Sequence, residues 1–199
     1  MAAYVIGDIK VTNPDTYAQY AARVPATSQA YGGKYLVRGP GKCEAAEGTW
    51  LPERFVLAEY KDVETIKAWY HSPEYSELLL LRQSASTGNL VIAEGIDPGA
   101  SERQTAAYLI GDIEVTDPDA YATYAARVPD TVAAYGGTYL VRGVSGESVE
   151  GVWQPNRLVV LAFESMERLK AWYDSVEYAD LKKLRQSASK GNVIFADGA

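Results

Sequence analysis

The side chains best suited to chemistry in this sequence are one imidazole and a small group of carboxylates and cations. His71 is the single histidine, and its ordinary pKa lies near neutrality, so it could serve as a general acid or base or stand unremarkably in solvent. Glu59 is a second candidate, because strand alternation places it on one sheet face with Asp8 and Arg38. These residues predict proton transfer; the structural alternative for Asp8 and Arg38 is an ion pair joining two sheets.

Aromatic and cationic residues could form the rest of such a site. Trp69 and Tyr75 lie on either side of Ser72-Pro73, where they either fill core space or line a pocket. Arg54 could hold a carboxylate through two parallel hydrogen bonds, or could form a salt bridge with a nearby glutamate. We therefore predict Tyr75 as a catalytic residue with Glu59 and His71, and a binding role for Trp69, Arg54, Arg38 and Asp8.

Other chemistries have little support in the sequence. A transition-metal site needs several converging ligands, whereas the chain has one histidine and one cysteine, Cys43. Haem is disfavoured because His71 is the only imidazole and stands beside a helix break. No glycine spacing matches a dinucleotide or phosphate loop, and no nucleophile elbow is present. The sequence therefore predicts neither a metal nor an organic cofactor.

Composition narrows the choice of partners. A net charge of −7 argues against a nucleic acid or an anionic membrane surface as partner. No apolar run approaches the roughly 20 residues of a membrane helix, and no signal peptide is evident. A single cysteine forms no disulfide within the chain, which favours a cytoplasmic setting. The expected partner is a small molecule.

Alternation, capping residues and glycines predict the order β-α-β-β-α-β for the first half of the chain. Strands are predicted at 3–11, 34–39, 54–60 and 90–94. Helices are predicted after Asn13 and Asp62, with a restart at Ser72-Pro73, and Pro25 is expected to kink or interrupt the first helix. Residues 40–50 are predicted to form a hairpin loop.

The same order then recurs. Tyr4-Val5-Ile6-Gly7-Asp8 returns as Tyr108-Leu109-Ile110-Gly111-Asp112, and Trp69-Tyr70 returns as Trp172-Tyr173. We predict a first repeat at 1–95, a linker at 96–105 and a second repeat at 106–199. Each repeat would leave one sheet face uncovered, so the two sheets are expected to pack together as a covalent form of a two-fold dimer. Such a chain could exist as a monomer.

The ordered motifs of both repeats resemble the family known as domain of unknown function 1330. The motifs that carry the resemblance are Tyr31-Gly32-Gly33, Val37-Arg38-Gly39, Glu47-Gly48 with Trp50, Arg54, Trp69-Tyr70 with Ser72-Pro73-Glu74-Tyr75, and Leu81-Arg82. The resemblance implies the dimeric α/β-barrel, ferredoxin-like fold of the α+β class. The wider superfamily includes cofactor-free monooxygenases, lactone isomerases and haem-binding enzymes, but the family itself has no assigned reaction. The resemblance also implies a ligand pocket between helices and sheet.

The second repeat departs from the first at three positions of interest, with Ala162 for Glu59, Asp174 for His71 and Val176 for Pro73. The first repeat is therefore expected to carry the better-equipped site. We predict an enzyme that uses neither metal nor cofactor, of isomerase, lyase or cyclase type or performing cofactor-free oxidation. The alternative is a non-catalytic ligand-binding or scaffold pair.

Overall fold

The two repeats have the same order of elements in a computed structural model that describes residues 1–96 and 105–199. The first repeat comprises β1 (Ala3–Val11), α1 (Pro14–Ala30), β2 (Lys34–Pro40), β3 (Cys43–Glu47), β4 (Arg54–Tyr60), α2 (Val63–Tyr70), α3 (Pro73–Ala85) and β5 (Ser86–Glu94). The second comprises β6 (Ala107–Val115), α4 (Pro118–Ala134), β7 (Thr138–Val144), β8 (Glu147–Glu150), β9 (Leu158–Phe163), α5 (Met166–Tyr173), α6 (Val176–Ala188) and β10 (Ser189–Asp197). Most of the predicted linker, residues 97–104, lies outside the described residues.

Side-chain caps start the helices where the sequence predicts them. Asn13 accepts a hydrogen bond from the Thr16 amide at 3.1 Å, Asp62 caps α2, and Ser72 caps α3. The helix is not interrupted at Pro25, because α1 continues through this residue to Ala30. The missing proline N–H nevertheless has a consequence, since it leaves one helix carbonyl free for another donor.

The two repeats exchange a strand with each other. The first sheet has the order β2-β4-β1-β5-β8 and the second β3-β10-β6-β9-β7. Thus β3 of the first repeat pairs with β10 of the second, and β8 of the second pairs with β5 of the first. The segment predicted as a hairpin loop therefore contains a strand, whose partner lies in the other repeat.

The predicted α+β fold, with two repeats packed sheet to sheet, is confirmed. One apolar cluster lies between the sheets and includes Tyr4, Ile6 and Leu57 of the first repeat with Ile110 and Val160 of the second. Two further clusters lie between each sheet and its own helices. The helices therefore cover the outer faces, and each repeat supplies the cover for the other's inner face.

Matched polar contacts surround the approximate two-fold axis between the repeats. The indole N–H of Trp50 donates to Asp8 Oδ2 at 2.9 Å, and that of Trp153 donates to Asp112 Oδ2 at 2.8 Å. The two tryptophan rings lie 5.1 Å apart. These contacts hold the loops that follow the exchanged strands β3 and β8.

No helix within residues 1–96 or 105–199 has the length and apolar character needed to span a membrane.

Candidate functional site

A cavity lies between the first sheet and its helices, at the position that the family resemblance implies. Its walls combine aliphatic side chains, aromatic rings and three arginines. The residues on which the site depends are Val5, Gly7, Tyr17, Tyr35, Arg38, Arg54, Ala58, Tyr60, Trp69, Tyr75 and Arg82. The enclosed space open to a water molecule is about 40 Å³, which is room for roughly three waters.

Arg38 is positioned by the proline inside α1. Pro25 has no N–H to offer the carbonyl of Ala21, four residues earlier, and the Arg38 guanidinium donates a hydrogen bond to that oxygen instead. The guanidinium also lies over the Tyr35 ring, 5.0 Å from its centroid. The second repeat has the same device, with Arg142 donating to Ala125 at 2.8 Å. The proline thus helps to position the Arg38 guanidinium by leaving the Ala21 carbonyl free to accept its hydrogen bond.

Arg54 carries a donor that the protein itself does not satisfy. Its guanidinium lies 4.9 Å from the centroid of the Tyr17 ring, and its Nε is buried without a hydrogen-bond partner. Arg54 also borders an outer groove of about 570 Å³ that shares Ile9, Tyr17 and Ala21 with the cavity. It therefore stands where the cavity opens to the outside.

Arg82 belongs to the cavity wall but is neutralised by the other repeat. Its side chain is 4 % exposed, and it forms an ion pair with Glu150 of the exchanged strand β8. The Tyr70 hydroxyl donates to the same carboxylate at 2.5 Å. In the second repeat, Arg185 bonds Glu47 of β3 at 2.5 and 3.1 Å.

Tyr60, which lines the cavity, meets the hydroxyl of Ser28. Ser28 and Tyr60 lie 2.8 Å apart through their side-chain oxygens, and Gly33 permits this approach because a Cβ there would lie 2.2 Å from Ser28 Oγ. Burial raises the pKa of Tyr35 to about 12, against the lowering effect of Arg38 and Ser28. Burial also raises the pKa of Tyr60. These phenols therefore remain protonated at neutral pH, and each has a hydroxyl proton that it can donate.

The corresponding cavity of the second repeat is smaller and more apolar. It offers about 30 Å³ of space open to water. Ala58 is replaced by Leu161, and the Ser28–Tyr60 pair is replaced by Val132 and Phe163. These substitutions remove both hydroxyls and fill space that the first repeat leaves open.

The second mouth differs as well. Arg142 is exposed, and a Cβ at Gly143 would lie 2.4 Å from Nη2 of Arg157, so that guanidinium packs against the turn. Arg54 makes no such contact, since the nearest atom to a Cβ at Gly39 belongs to Lys42, 3.9 Å away.

Four of the seven predicted site residues meet in the first cavity: Arg38, Arg54, Trp69 and Tyr75. The Trp69 and Tyr75 rings are 4.3 Å apart, and the Trp69 indole donates to Thr27 at 3.1 Å. The two rings thus form a continuous aromatic wall beside the arginines. The catalytic and binding roles of these residues stay predictions.

Glu59, His71 and Asp8 lie elsewhere. Glu59 faces the other sheet, where the Tyr4 hydroxyl donates to it at 3.4 Å. His71 is the C-cap of α2 and is exposed. Asp8 also faces the other sheet and accepts from Trp50, so the expected ion pair with Arg38 is not formed.

The expected common face of Glu59, Asp8 and Arg38 is wrong for Arg38. The register of β2 against β4 shifts between Tyr35 and Val37. This irregularity puts Leu36 and Val37 together in the cluster between the sheets and turns Arg38 to the helix side. Simple alternation of side chains does not anticipate such a bulge.

Sequence reasoning missed the residues that distinguish the two cavities. Ser28, Ala58 and Tyr60 look like ordinary core positions, and none belongs to a catalytic motif. The available signal was the internal comparison, since all three change in the second repeat, to Val132, Leu161 and Phe163. Only the fold shows that Ala58 and Tyr60 line a common cavity and that Ser28 contacts Tyr60.

The described residues offer no evident place for a metal or a haem. Within these residues, no group of three or more His, Cys, Asp or Glu side chains is arranged to hold a metal ion. His71 lines neither cavity, and room for a few waters does not fit a porphyrin. Burial raises the pKa of Cys43 to about 12, so this thiol stays protonated.

Comparison with known proteins gives a family and a set of structural neighbours. The model of the family described as domain of unknown function 1330 matches residues 2–96 and again 106–199. Comparison with curated protein sequences finds no match.

The structural neighbours share the fold at low sequence identity. A Lactobacillus acidophilus protein provisionally named a monooxygenase has a TM-score of 0.58 at 14% identity, over 99% of this chain and 93% of its own. A haem-binding protein of Thermus thermophilus has a TM-score of 0.55 at 7% identity, over 99% and 90%. A mutant chlorite dismutase of Candidatus Nitrospira defluvii has a TM-score of 0.58 at 6% identity, over 100% and 91%. At such identities the likeness shows the fold alone.

Proposed function

We propose that this chain, which belongs over both of its repeats to the family described as domain of unknown function 1330, is an enzyme acting on a small organic molecule in the cavity of its first repeat. The proposed chemistry is proton transfer of isomerase, lyase or cyclase type, or oxidation without a cofactor. One observation carries the proposal: the first cavity is lined by Tyr60 and Ala58, and the equivalent positions of the second repeat are Phe163 and Leu161.

The cavity is suited to stabilising negative charge on a substrate oxygen. Tyr35 and Tyr60 have raised pKa values and therefore present hydroxyl protons at neutral pH. Tyr75 lines the same cavity, and Arg38 and Arg54 bring positive charge to it. Donors and cations fixed in a partly desolvated site favour an enolate or phenolate over its neutral form.

The lining of this cavity contains no carboxylate and no imidazole. A substrate proton must therefore leave to water, or the substrate must enter already ionised. Both routes favour a compound with an acidic proton, whose anion the site would hold. An anion of this kind is also the species that could react with dioxygen, and the provisional name of the Lactobacillus acidophilus neighbour agrees with this second candidate.

The small volume of the cavity favours the alternative, a non-catalytic binding or scaffold pair. With about 40 Å³ open to water, a ligand larger than a few water molecules needs Arg54 or a tyrosine to move. Arg54 has no ion pair within the described residues, so no carboxylate opposes its movement. The enzyme hypothesis therefore requires such a movement when the ligand binds.

A screen of small carbonyl and phenolic compounds tests the proposal with four variants. Ala58→Leu should abolish turnover by filling the cavity, and Tyr60→Phe should lower kcat by about a hundredfold or more. Glu59→Ala and His71→Ala should leave turnover unchanged, since neither side chain lines the cavity. If Glu59→Ala or His71→Ala loses activity while Ala58→Leu and Tyr60→Phe keep it, the predicted catalytic roles of Glu59 and His71 are restored and this site is rejected.

A wild-type protein that turns over no compound in the screen, yet binds some of them, would support the scaffold alternative. A monomeric state is part of the proposal, because the strand exchange occurs within one chain. Light scattering at dilute concentration measures it.

A further inference from the structure

We infer that the ligand of the first cavity is a small planar carboxylate, held at the mouth by Arg54 and Arg38 with its apolar body against the aromatic wall. This inference rests on the proposed function and specifies its substrate class. It draws on the charges at the mouth, the shape of the opening and the lining of the interior.

The arginines at the mouth of the first cavity have no acid as partner. Their counterparts Arg142 and Arg157 form no ion pair within the described residues either, and Arg157 Nε is buried without a partner as Arg54 Nε is. Arg82 has Glu150 and Arg185 has Glu47 as carboxylate partners. Within residues 1–96 and 105–199, Arg38 and Arg54 have no carboxylate within ion-pair distance. Because a buried donor without an acceptor costs free energy, an incoming carboxylate that bonds Arg54 recovers that cost.

The orientation of the two guanidinium groups suits a carboxylate. Each lies over the face of a tyrosine, Arg38 over Tyr35 at 5.0 Å and Arg54 over Tyr17 at 4.9 Å. Packing against a ring holds the guanidinium plane. Arg38 Nη2 already donates to the Ala21 carbonyl, and the other N–H groups of Arg38 are left for a ligand. A planar fork of this kind matches a carboxylate with two parallel hydrogen bonds.

The path from groove to cavity places the charge outside and the apolar body inside. Arg54 borders both spaces, and the outer groove of about 570 Å³ has Ile9, Val11 and Tyr17 on its walls. The interior offers Val5, Ala58 and Leu90 with the Trp69–Tyr75 wall. A flat conjugated or aromatic body packs well against such rings. No acid lines the interior, and Glu53, which borders the outer groove, pairs with Lys10.

The floor of the cavity includes a glycine that keeps this space free. A Cβ at Gly7 would lie 3.4 Å from Leu90 Cδ1 and 3.4 Å from Val56 Cβ, which are ordinary van der Waals distances. The backbone there therefore accepts alanine, and the added methyl would project into the cavity. Gly7→Ala is thus a mild variant that removes ligand space without disturbing the mouth.

Isothermal titration calorimetry with matched acids and amides tests the inference. The probes are benzoate and benzamide, phenylacetate and phenylacetamide, and cinnamate and cinnamamide. At least one carboxylate should bind about ten- to a hundredfold more tightly than its amide, since hydrogen bonds to charged groups are the stronger ones. Arg54→Gln should remove this preference and leave amide affinity unchanged, whereas Arg157→Gln in the second repeat should change neither.

Two further variants guard against misfolding. Arg54→Lys keeps the charge but loses the fork, so it should show a preference between those of wild type and Arg54→Gln. Gly7→Ala should weaken both members of a pair equally. Circular dichroism establishes that each variant is folded before titration.

Three results would overturn the inference. If acid and amide bind equally and both are lost in Ala58→Leu, the cavity binds ligands but does not select carboxylates, and the proposed function stands. If Arg157→Gln abolishes the preference as Arg54→Gln does, the mouth of the first repeat is not its source. If no carboxylate of the panel binds, the substrate class is wrong, and turnover of neutral compounds in the screen decides the proposed function separately.

Discussion

The two repeats agree where they hold each other and differ where a ligand would enter. Trp50 and Trp153 occupy equivalent places at the two-fold axis, and each repeat has a buried arginine that bonds a glutamate from the other's exchanged strand. The differences lie in the two cavities, where Ala58 of the first repeat corresponds to Leu161 of the second. The comparison separates residues that maintain the shared frame from residues that define one site.

The ion pair between repeats should give the largest effect. Glu150→Ala leaves Arg82 buried without its carboxylate and should lower the free energy of unfolding by about 3–5 kcal/mol. Glu47→Ala should do the same through Arg185, because the two contacts are equivalent. Urea unfolding monitored by tryptophan fluorescence measures both.

Glu147→Ala is the matched control for that experiment. Glu147 lies on the same strand as Glu150 and pairs with Lys67 of α2 at 2.8 Å. The two side chains are 55 % and 37 % exposed, so the unfolding midpoint should hardly move. Equal losses in Glu147→Ala and Glu150→Ala would mean that burial of the ion pair does not decide its effect.

Exchanging the cavity residues should reverse the contrast between the repeats. Leu161→Ala should open the second cavity and cost about 2–5 kcal/mol, because neighbouring side chains only partly refill the space. Ala58→Leu should cost about 1–3 kcal/mol through overpacking and close the first cavity. Urea unfolding gives the costs, and calorimetry with the carboxylate panel shows which repeat binds. Retained binding in Ala58→Leu would contradict the assignment of the site to the first repeat.

The hydroxyl pair should give a smaller and diagnostic effect. Tyr60→Phe leaves Ser28 without its partner and should cost about 0.5–1.5 kcal/mol. Adding Ser28→Val reproduces the apolar pair of the second repeat and should cost less than the sum of the single changes. A double-mutant cycle by chemical unfolding measures this coupling. Strict additivity would show that the two side chains contribute independently.

Acid should lower the free energy of unfolding in a way that depends on Glu47. Burial alone would raise the pKa of this carboxyl, but hydrogen bonds from Arg185 and Tyr173 outweigh it and hold the pKa below its ordinary value. Because its pKa is lowered on folding, ionised Glu47 stabilises the folded state at pH values above its unfolded-state pKa of about 4.3. This stabilisation is lost as the pH falls through the lower folded-state pKa.

Urea midpoints between pH 3 and pH 7 test this effect. In Glu47→Gln the fall below about pH 4.3 should be shallower than in wild type. An unchanged slope would mean that other carboxyls account for the acid sensitivity.

Much of the fold follows from local patterns, whereas the strand exchange does not. Caps at Asn13, Asp62 and Ser72 and the alternation in β1 and β4 give the element order. The five residues of β3, Cys43–Glu47, lack strand alternation, and their partner β10 lies far along the chain. A loop is therefore what local rules favour for them.

The site could be predicted in part for similar reasons. Trp69, Tyr75 and Arg54 were predicted because their side chains suit ligand binding, and they line one cavity. Arg38 was placed on the wrong face, because a bulge in β2 overrides alternation. His71 was chosen for its chemistry, and chemistry alone does not reveal exposure.

The exchange of β3 and β8 within one polypeptide has a consequence for how this protein can evolve. In a homodimer every substitution appears at both pockets, so a change that improves one site is imposed on its twin. Here each pocket is encoded by its own part of the gene, while the exchanged strands β3 and β8 hold the two repeats together. One pocket is therefore free to diverge while the other preserves the partnership.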